Sequence, residues 1–399
     1  MLPVSQAEQI IRDTFPPLPS QAVALTAAYG QVLREPILAD RPFPPYDRVT
    51  MDGIALALDR YRQGTTRFAI QGVQAAGQKP FTLSDTSNCI EIMTGAALPG
   101  GCDCVVPVED LDLDDGSVVL EAGLELKTMQ HVHPEGSDRK RGDLLLEAGI
   151  TLRAPELAIA ATTGNARVLV AARPSIAVIS TGDELVDVDE TPQAHQIRRS
   201  NAYALQGALA LAGFHDVTLS HVPDDRKAVQ EHLAACLERH RVLILSGGVS
   251  KGRFDFIPAI LNELGVTTYF HGVWQRPGKP MWYGIGADQQ TVFGLPGNPV
   301  SVLVCCYRYV LPALQFAMGQ HAVSPERVVL EESVMFTKPL TLFQPVNMLE
   351  DTDGILRARP VPLNTSGDLA ALAGNDGFIQ LDAEQDSFEK ESVQDLWRW

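Results

Sequence analysis

Three apolar runs between residues 174 and 301 share one design. Pro174-Ser-Ile-Ala-Val-Ile-Ser-Thr-Gly-Asp-Glu184 ends in a small-residue turn and two acids. Arg241-Val-Leu-Ile-Leu-Ser-Gly-Gly-Val-Ser250 ends in a glycine pair, and Thr291-Val-Phe-Gly-Leu-Pro-Gly-Asn-Pro-Val-Ser301 in a proline-bounded turn. Runs rich in β-branched residues, with no polar alternation, are the pattern of strands buried on both faces. Helical periodicity fills the gaps: Asn201 to Ala212 behind the N-cap candidate Ser200, Arg226 to Arg239, and Phe256 to Leu264 before Gly265. Strand, turn and helix in alternation predict right-handed βαβ units and a doubly wound parallel sheet over residues 173–320. Such sheets bind ligands at the carboxyl ends of their strands, where the three turns would gather.

The flanks carry other patterns. Gln6 to Phe15 has helical spacing, Pro16-Pro-Leu-Pro19 stops it, and Leu25 to Val32 predicts a second short helix. The prolines of Arg41-Pro-Phe-Pro-Pro-Tyr46 hold the chain extended. From Ile54 to His133 short alternating strands with Gly, Pro and Asp turns predict a small β domain. Ala154 to Ala161 then reads as a helix, so the chain leaves one domain, builds a second and returns. After Gln320 short strands resume at all-β spacing. The expected fold class is multidomain α/β plus β. It comprises a discontinuous helical and linking domain (1–41 and 136–172), a β insertion (42–135), the α/β domain (173–320) and a C-terminal β-barrel domain (321–399).

Length and charge narrow the function. A chain of 399 residues exceeds what one core serves, in line with several domains. No apolar run approaches the ~20 residues needed to cross a bilayer, and Met1-Leu-Pro-Val-Ser-Gln-Ala-Glu lacks a signal-peptide layout, so a cytoplasmic protein without a membrane partner is expected. A net charge of −17 argues against nucleic acid, which needs basic surface. An anionic small ligand remains open where cations collect locally. They do so at Arg198-Arg199, Lys251-Gly-Arg253 and Arg276-Pro-Gly-Lys279. Six cysteines make no disulfide framework. Cys102/Cys104, Cys305/Cys306 and His131/His133 lack the second ligand pair of a zinc site.

The turns themselves suggest chemistry. In Ser246-Gly-Gly-Val-Ser250 the glycines would let backbone N–H groups approach an anion, and Ser250 offers a hydroxyl. In Pro296-Gly-Asn-Pro299 two prolines stiffen a loop whose following helix aims its N-terminus at the site. Asp183, Glu184, Asp224, Asp225 and Asp255 recur at the same edge, either as helix caps or as holders of a Mg²⁺ that meets phosphate.

Six motifs in order make the chain resemble the MoeA family of molybdopterin molybdenumtransferases, over essentially its whole length. They are Pro44-Pro-Tyr-Asp-Arg-Val-Thr-Met-Asp-Gly53, Ile92-Met-Thr-Gly-Ala96, Ser180-Thr-Gly-Asp-Glu-Leu185, Ser246-Gly-Gly-Val-Ser250, Pro277-Gly-Lys-Pro280 and Leu295-Pro-Gly-Asn-Pro-Val-Ser301. The resemblance implies an elongated homodimer with an active site shared between subunits. It implies Mg²⁺ as cofactor, molybdate and adenylylated molybdopterin as substrates, release of AMP, and handover of substrate from a molybdopterin adenylyltransferase. By the same resemblance Asp183, Glu184, Asp224 and Asp255 form the acidic set, with Asp183, Glu184 and Asp255 as metal ligands. Thr181, Gly182, Ser246, Gly247, Gly248 and Ser250 line the substrate loops. Arg276, Gly278 and Lys279 meet the anion, Pro296, Gly297, Asn298 and Pro299 form a rigid wall, and Ser366 matches a functional serine. Asp52, Thr94 and Asp138 would reach the site from the partner subunit. Three departures stand out: Arg276 and Gly272 where many members have lysine, and Pro345 in place of an arginine. A nucleotide hydrolase resembling CinA, which shares the central domain, and a scaffold role as in gephyrin are the rival readings.

Overall fold

The computed structural model describes residues 1–121, 123–249, 256–322, 324–350 and 353–399. Its centre is a six-stranded sheet built from β1 (Ile176–Thr181), β2 (Val217–Val222), β3 (Val242–Ser246), β4 (Thr267–His271), β5 (Trp282–Ile285) and β6 (Thr291–Leu295). The spatial order is β2-β1-β3-β6-β5-β4. β2, β1, β3 and β6 are parallel, and β5 alone runs against its neighbours β6 and β4. The expected parallel sheet is thus present with one reversed strand, because β4 and β5 join by a loop rather than a crossover helix.

Side chains alternate between two apolar layers, which explains the unbroken apolar runs. Ile176, Val178, Val242, Ile244, Phe293 and Leu295 face helix α1 (Ser200–Leu211) and the long helix that begins at Pro299. Ala177, Ile179, Leu243, Leu245 and Val292 face α2 (Arg226–Arg239) and α3 (Ile257–Glu263). All residues of β1, β3 and β6 are buried.

The long helix spans Pro299–Ala317 and is long and apolar enough to cross a membrane, a stretch the sequence reading passed over. It is 72% buried inside the protein, as a core helix should be. A π turn at Cys306–Val310 interrupts it. Pro312 cannot donate to the Arg308 carbonyl one turn earlier, and a wider turn relieves that conflict.

C-terminal to it, five strands close into a barrel. Thr341–Glu350 pairs with Leu356–Pro360 and Gly377–Leu381, and Glu326–Leu330 and Val393–Arg398 complete the ring. The two-residue strand Gln275–Arg276 adds onto Thr341–Leu342. The insertion is a six-stranded sheet, in order Cys104–Pro107, Gly53–Leu56, Asn88–Ile92, Arg67–Gln74, Ser117–Leu120 and Leu111–Asp114. Its two apolar clusters draw only on residues 49 to 132. The chain enters and leaves it along a narrow ribbon: Ile37–Leu38 against Leu144–Leu146, and Phe43 against Arg139.

Near the N-terminus the helix is Val4–Thr14, and its Val4, Ala7 and Ile11 join the main core. The short helix expected over Leu25–Val32 shrinks to a turn at Leu25–Ala27. Ser20–Ala24 pairs instead with Arg167–Ala171, while Leu33 N–H bonds the Ile150 carbonyl and Val32 accepts from Ala171 N–H. Long-range pairing has overridden local helical spacing here.

Candidate functional site at the carboxyl edge of the sheet

The turns after β1, β3 and β6 do converge, and a residue the sequence reading treated only as part of a helix start holds them together. Asn201, in the first turn of α1, donates from Nδ2 to Ser246 Oγ (2.9 Å) and to the Gly297 carbonyl (2.7 Å). Gly247 N–H bonds the Leu295 carbonyl at 3.2 Å, closing the same seam. Two histidines support it: His221 Nε2 donates to the Gly182 carbonyl (2.9 Å) and His271 Nε2 to the Val249 carbonyl (2.7 Å). Only the Ser-Asn pair opening α1 hinted at Asn201 in the sequence; nothing local pointed to the histidines.

The glycine pair is demanded by geometry. Gly247 and Gly248 have φ of +100° and +66°. A Cβ on Gly247 would stand 2.9 Å from the Thr181 carbonyl oxygen, and one on Gly248 would overlap Ile257 and lie 3.0 Å from Thr181 Oγ1. Only glycine allows this approach. Thr181 Oγ1 and Ser180 Oγ are buried beside the pair with no hydrogen-bond partner among the described residues. A buried hydroxyl without a partner favours a polar occupant.

The acids sort into two roles. Asp183 Oδ1 accepts from Asp224 N–H at 3.0 Å, joining the turns after β1 and β2. Asp225 is a helix cap, with Oδ1 accepting from Ala228 N–H at 2.8 Å. The Glu184 carboxylate folds over Gly182, where an added Cβ would meet Oε2 at 2.5 Å. Ser250 and Asp255, with Lys251 and Arg253, lie outside the described residues. Among the described residues no cluster of three or more His, Cys, Asp or Glu could hold a metal ion. Two exposed carboxylates still suit Mg²⁺, which takes one or two protein carboxylates and completes its shell with water and substrate phosphate.

Arg276, Gly278 and Lys279 sit on the β4–β5 loop at this edge. Arg276 and Lys279 are exposed, and Lys279 Nζ lies 5.5 Å from the centre of the Trp274 ring. Gly278 is buried against Cys305. Gly272, one of the three departures, is buried below the N-terminus. Its φ is +96°, its carbonyl accepts from Leu2 N–H, and a Cβ would lie 2.8 Å from Met1 Cγ. A lysine could not be added there without displacing Met1. Pro345 likewise lies buried in a barrel strand opposite Phe378.

Pro296, Gly297, Asn298 and Pro299 form a rim that the barrel domain completes. Asn298 Nδ2 donates to Ser366 Oγ (2.9 Å), and the Ser366 carbonyl accepts from Val300 N–H (3.2 Å). One N–H of this helix's first turn, that of Val300, is thus taken by the Ser366 carbonyl.

Asp52 and Thr94 form one hydrogen-bonded pair, and Asp138 belongs to another group. Asp52 Oδ1 accepts from Thr94 N–H (2.6 Å) and Thr94 Oγ1 (2.8 Å). The backbone bond, then the hydroxyl bond, hold the Asp52 carboxyl below the usual aspartate range. His133 sits 2.9 Å from Asp138 Oδ1 and 3.3 Å from Arg48.

Family models cover nearly the full length. A MoeA N-terminal region (domains I and II) matches residues 2–164, a family described as "probable molybdopterin binding domain" 177–315, and a MoeA C-terminal region (domain IV) 327–393. A molybdopterin molybdenumtransferase of Synechocystis is 41% identical over 100% of both chains. One from Bacillus subtilis is 30% identical, covering 90% of this chain and 85% of its own. Among solved structures, a molybdopterin biosynthesis MoeA protein of Pyrococcus horikoshii superposes with a TM-score of 0.85 at 26% identity, covering 100% of this chain and 99% of that one.

Proposed function

We propose, because this chain belongs to the MoeA family of molybdopterin molybdenumtransferases, that it transfers molybdenum from molybdate to adenylylated molybdopterin and releases AMP, within molybdenum cofactor biosynthesis. The observation that carries the reading is the seam at the sheet edge. There Asn201 ties the glycine loop to the Pro296–Pro299 rim, beside the Asp183 and Glu184 carboxylates.

In this reading the Gly247 and Gly248 backbone lies against the substrate phosphates, which need close approach by groups without side chains. Thr181 Oγ1, buried and without a partner among the described residues, offers a hydrogen bond from the floor. Asp183 and Glu184 would hold Mg²⁺, whose charge offsets that of the phosphates. Arg276 and Lys279 hold the molybdate dianion, the one by a planar fork and the other by a point charge. Asn298 and Ser366 keep the rim in place. Asp52, Thr94 and Asp138 serve the site of the partner subunit in a homodimer, as the family resemblance implies. Six buried, unpaired cysteines suit a reducing cytoplasm.

The test is incubation with adenylylated molybdopterin, molybdate and Mg²⁺, with AMP and molybdenum cofactor assayed together. Equal yields of both are expected. Asp183→Asn, which keeps the acceptor for Asp224 N–H, should cut AMP release by more than about a hundredfold, the scale of losing a charged ligand of ~3 kcal/mol, with Tm unchanged. Hydrolysis of the nucleotide without molybdenum incorporation would instead favour a hydrolase.

A further inference from the structure

Gln275 is fully buried although its side chain is a primary amide. Its Oε1 accepts from Tyr309 Oη, and its Nε2 donates to Cys305 Sγ at 3.5 Å. Both partners lie on the long helix, one turn apart, where the π turn begins and runs. The loop closes tightly over them: a Cβ on Gly278 would stand 2.6 Å from Cys305 Sγ. On its other side, Gln275 pairs with Thr341 of the barrel. An apolar side chain would fill this core without polar atoms to satisfy, so filling space does not account for an amide here. What the amide supplies is direction, because a donor and an acceptor at fixed positions admit one arrangement.

Gln275 is followed at once by Arg276 and, after Pro277-Gly278, by Lys279, both exposed at the carboxyl edge. The helix that supplies Cys305 and Tyr309 starts at Pro299, at the carboxyl edge of the same sheet. We propose that Gln275, Tyr309 and Cys305 form a positioning network that sets Arg276 and Lys279 against the oxyanion substrate and locks their loop to the rim helix. This rests on the reading of Arg276 and Lys279 as oxyanion contacts. The network itself touches no substrate. It acts through the two cations, and so should govern oxyanion affinity rather than turnover.

The experiment measures half-saturating molybdate and kcat in the full-length enzyme, with direct molybdate binding as a second readout. Gln275→Leu and the milder Tyr309→Phe should each raise half-saturating molybdate about tenfold, with kcat within about twofold and an unchanged circular dichroism spectrum. The same substitutions made on Lys279→Ala with Arg276→Ala should add almost nothing, since residues acting through one another are not additive. An unchanged molybdate requirement in both single variants would overturn the proposal. So would a loss confined to kcat, or a full additive loss on the double-alanine background. If Lys279→Ala with Arg276→Ala leaves molybdate binding intact, the oxyanion reading of the loop fails and takes this inference with it. If that variant weakens binding while Gln275→Leu and Tyr309→Phe do not, only the positioning role falls.

Discussion

Single residues of this chain act mostly through backbone partners. The Asp52 carboxylate is held by the N–H and hydroxyl of Thr94, and its charged form is the one those donors favour. Its folded-state pKa is depressed, so its contribution to stability is complete above the ordinary aspartate range and is lost as pH falls through the lowered value. Thr94→Val removes the hydroxyl and keeps the N–H. The Asp52 carboxyl, followed by ¹³C NMR, should then titrate at a higher pH than in wild type, still short of an unperturbed aspartate. A midpoint that does not move would mean that the backbone bond alone sets the charge. At this scale sequence reasoning served unevenly. Asp183 and the glycine pair were legible because a strand end and its turn are local in sequence. Asn201, His221, His271 and the Arg48–His133–Asp138 chain were not, because their partners lie in other elements.

Elements follow the same division. β1, β3, β6 and α2 were legible from apolar runs and periodicity, and α2 begins and ends where its cap and spacing place it. The helix at Pro299 was legible in its start but not in its capping, since Ser366 comes from a loop 66 residues further on. The Leu25–Val32 spacing misled because strand pairing with distant segments claimed those backbone groups. The start of α1 matters most for the proposed function. Asn201 makes two hydrogen bonds that hold the turns at Ser246 and Gly297 in register. Two such bonds contribute roughly 1–3 kcal/mol together, so Asn201→Ala should raise the substrate concentration for half-maximal rate by about tenfold or more. Steady-state kinetics would show it. A wild-type value would mean that the backbone bond from Gly247 to Leu295 suffices to close the seam.

At the scale of the whole molecule the proposed site is split. The glycine loop, the acids and the cationic loop belong to the α/β domain, Ser366 to the barrel, Asp52, Thr94 and His133 to the insertion, and Asp138 to the segment that returns from it. The homodimer proposed above resolves that split, and it can be tested by complementation. Asp52→Ala and Asp183→Ala subunits, each inactive alone, should regain activity after mixing and exchange. With random pairing half of the dimers are mixed and each carries one intact site of two, so recovery should approach about a quarter of wild type. No recovery after mass spectrometry has verified exchange would place both aspartates in one subunit's site. The split also explains why motifs showed the family so readily: each domain carries its own short signature, whereas their spatial relation is written nowhere in the chain.

The ribbon of Ile37–Leu38 against Leu144–Leu146 has a mechanical consequence. A two-stranded ribbon twists and bends far more easily than the broad sheets it joins. The insertion has a core of its own at the far end. It is therefore built like an outrigger on a compliant strut, stiff in itself and adjustable in reach. A rigid tether would demand that both halves of a composite site be machined to the same tolerance. In the proposed homodimer a compliant one lets the docking surface, and not the strut, set the final alignment of Asp52, Thr94 and Asp138.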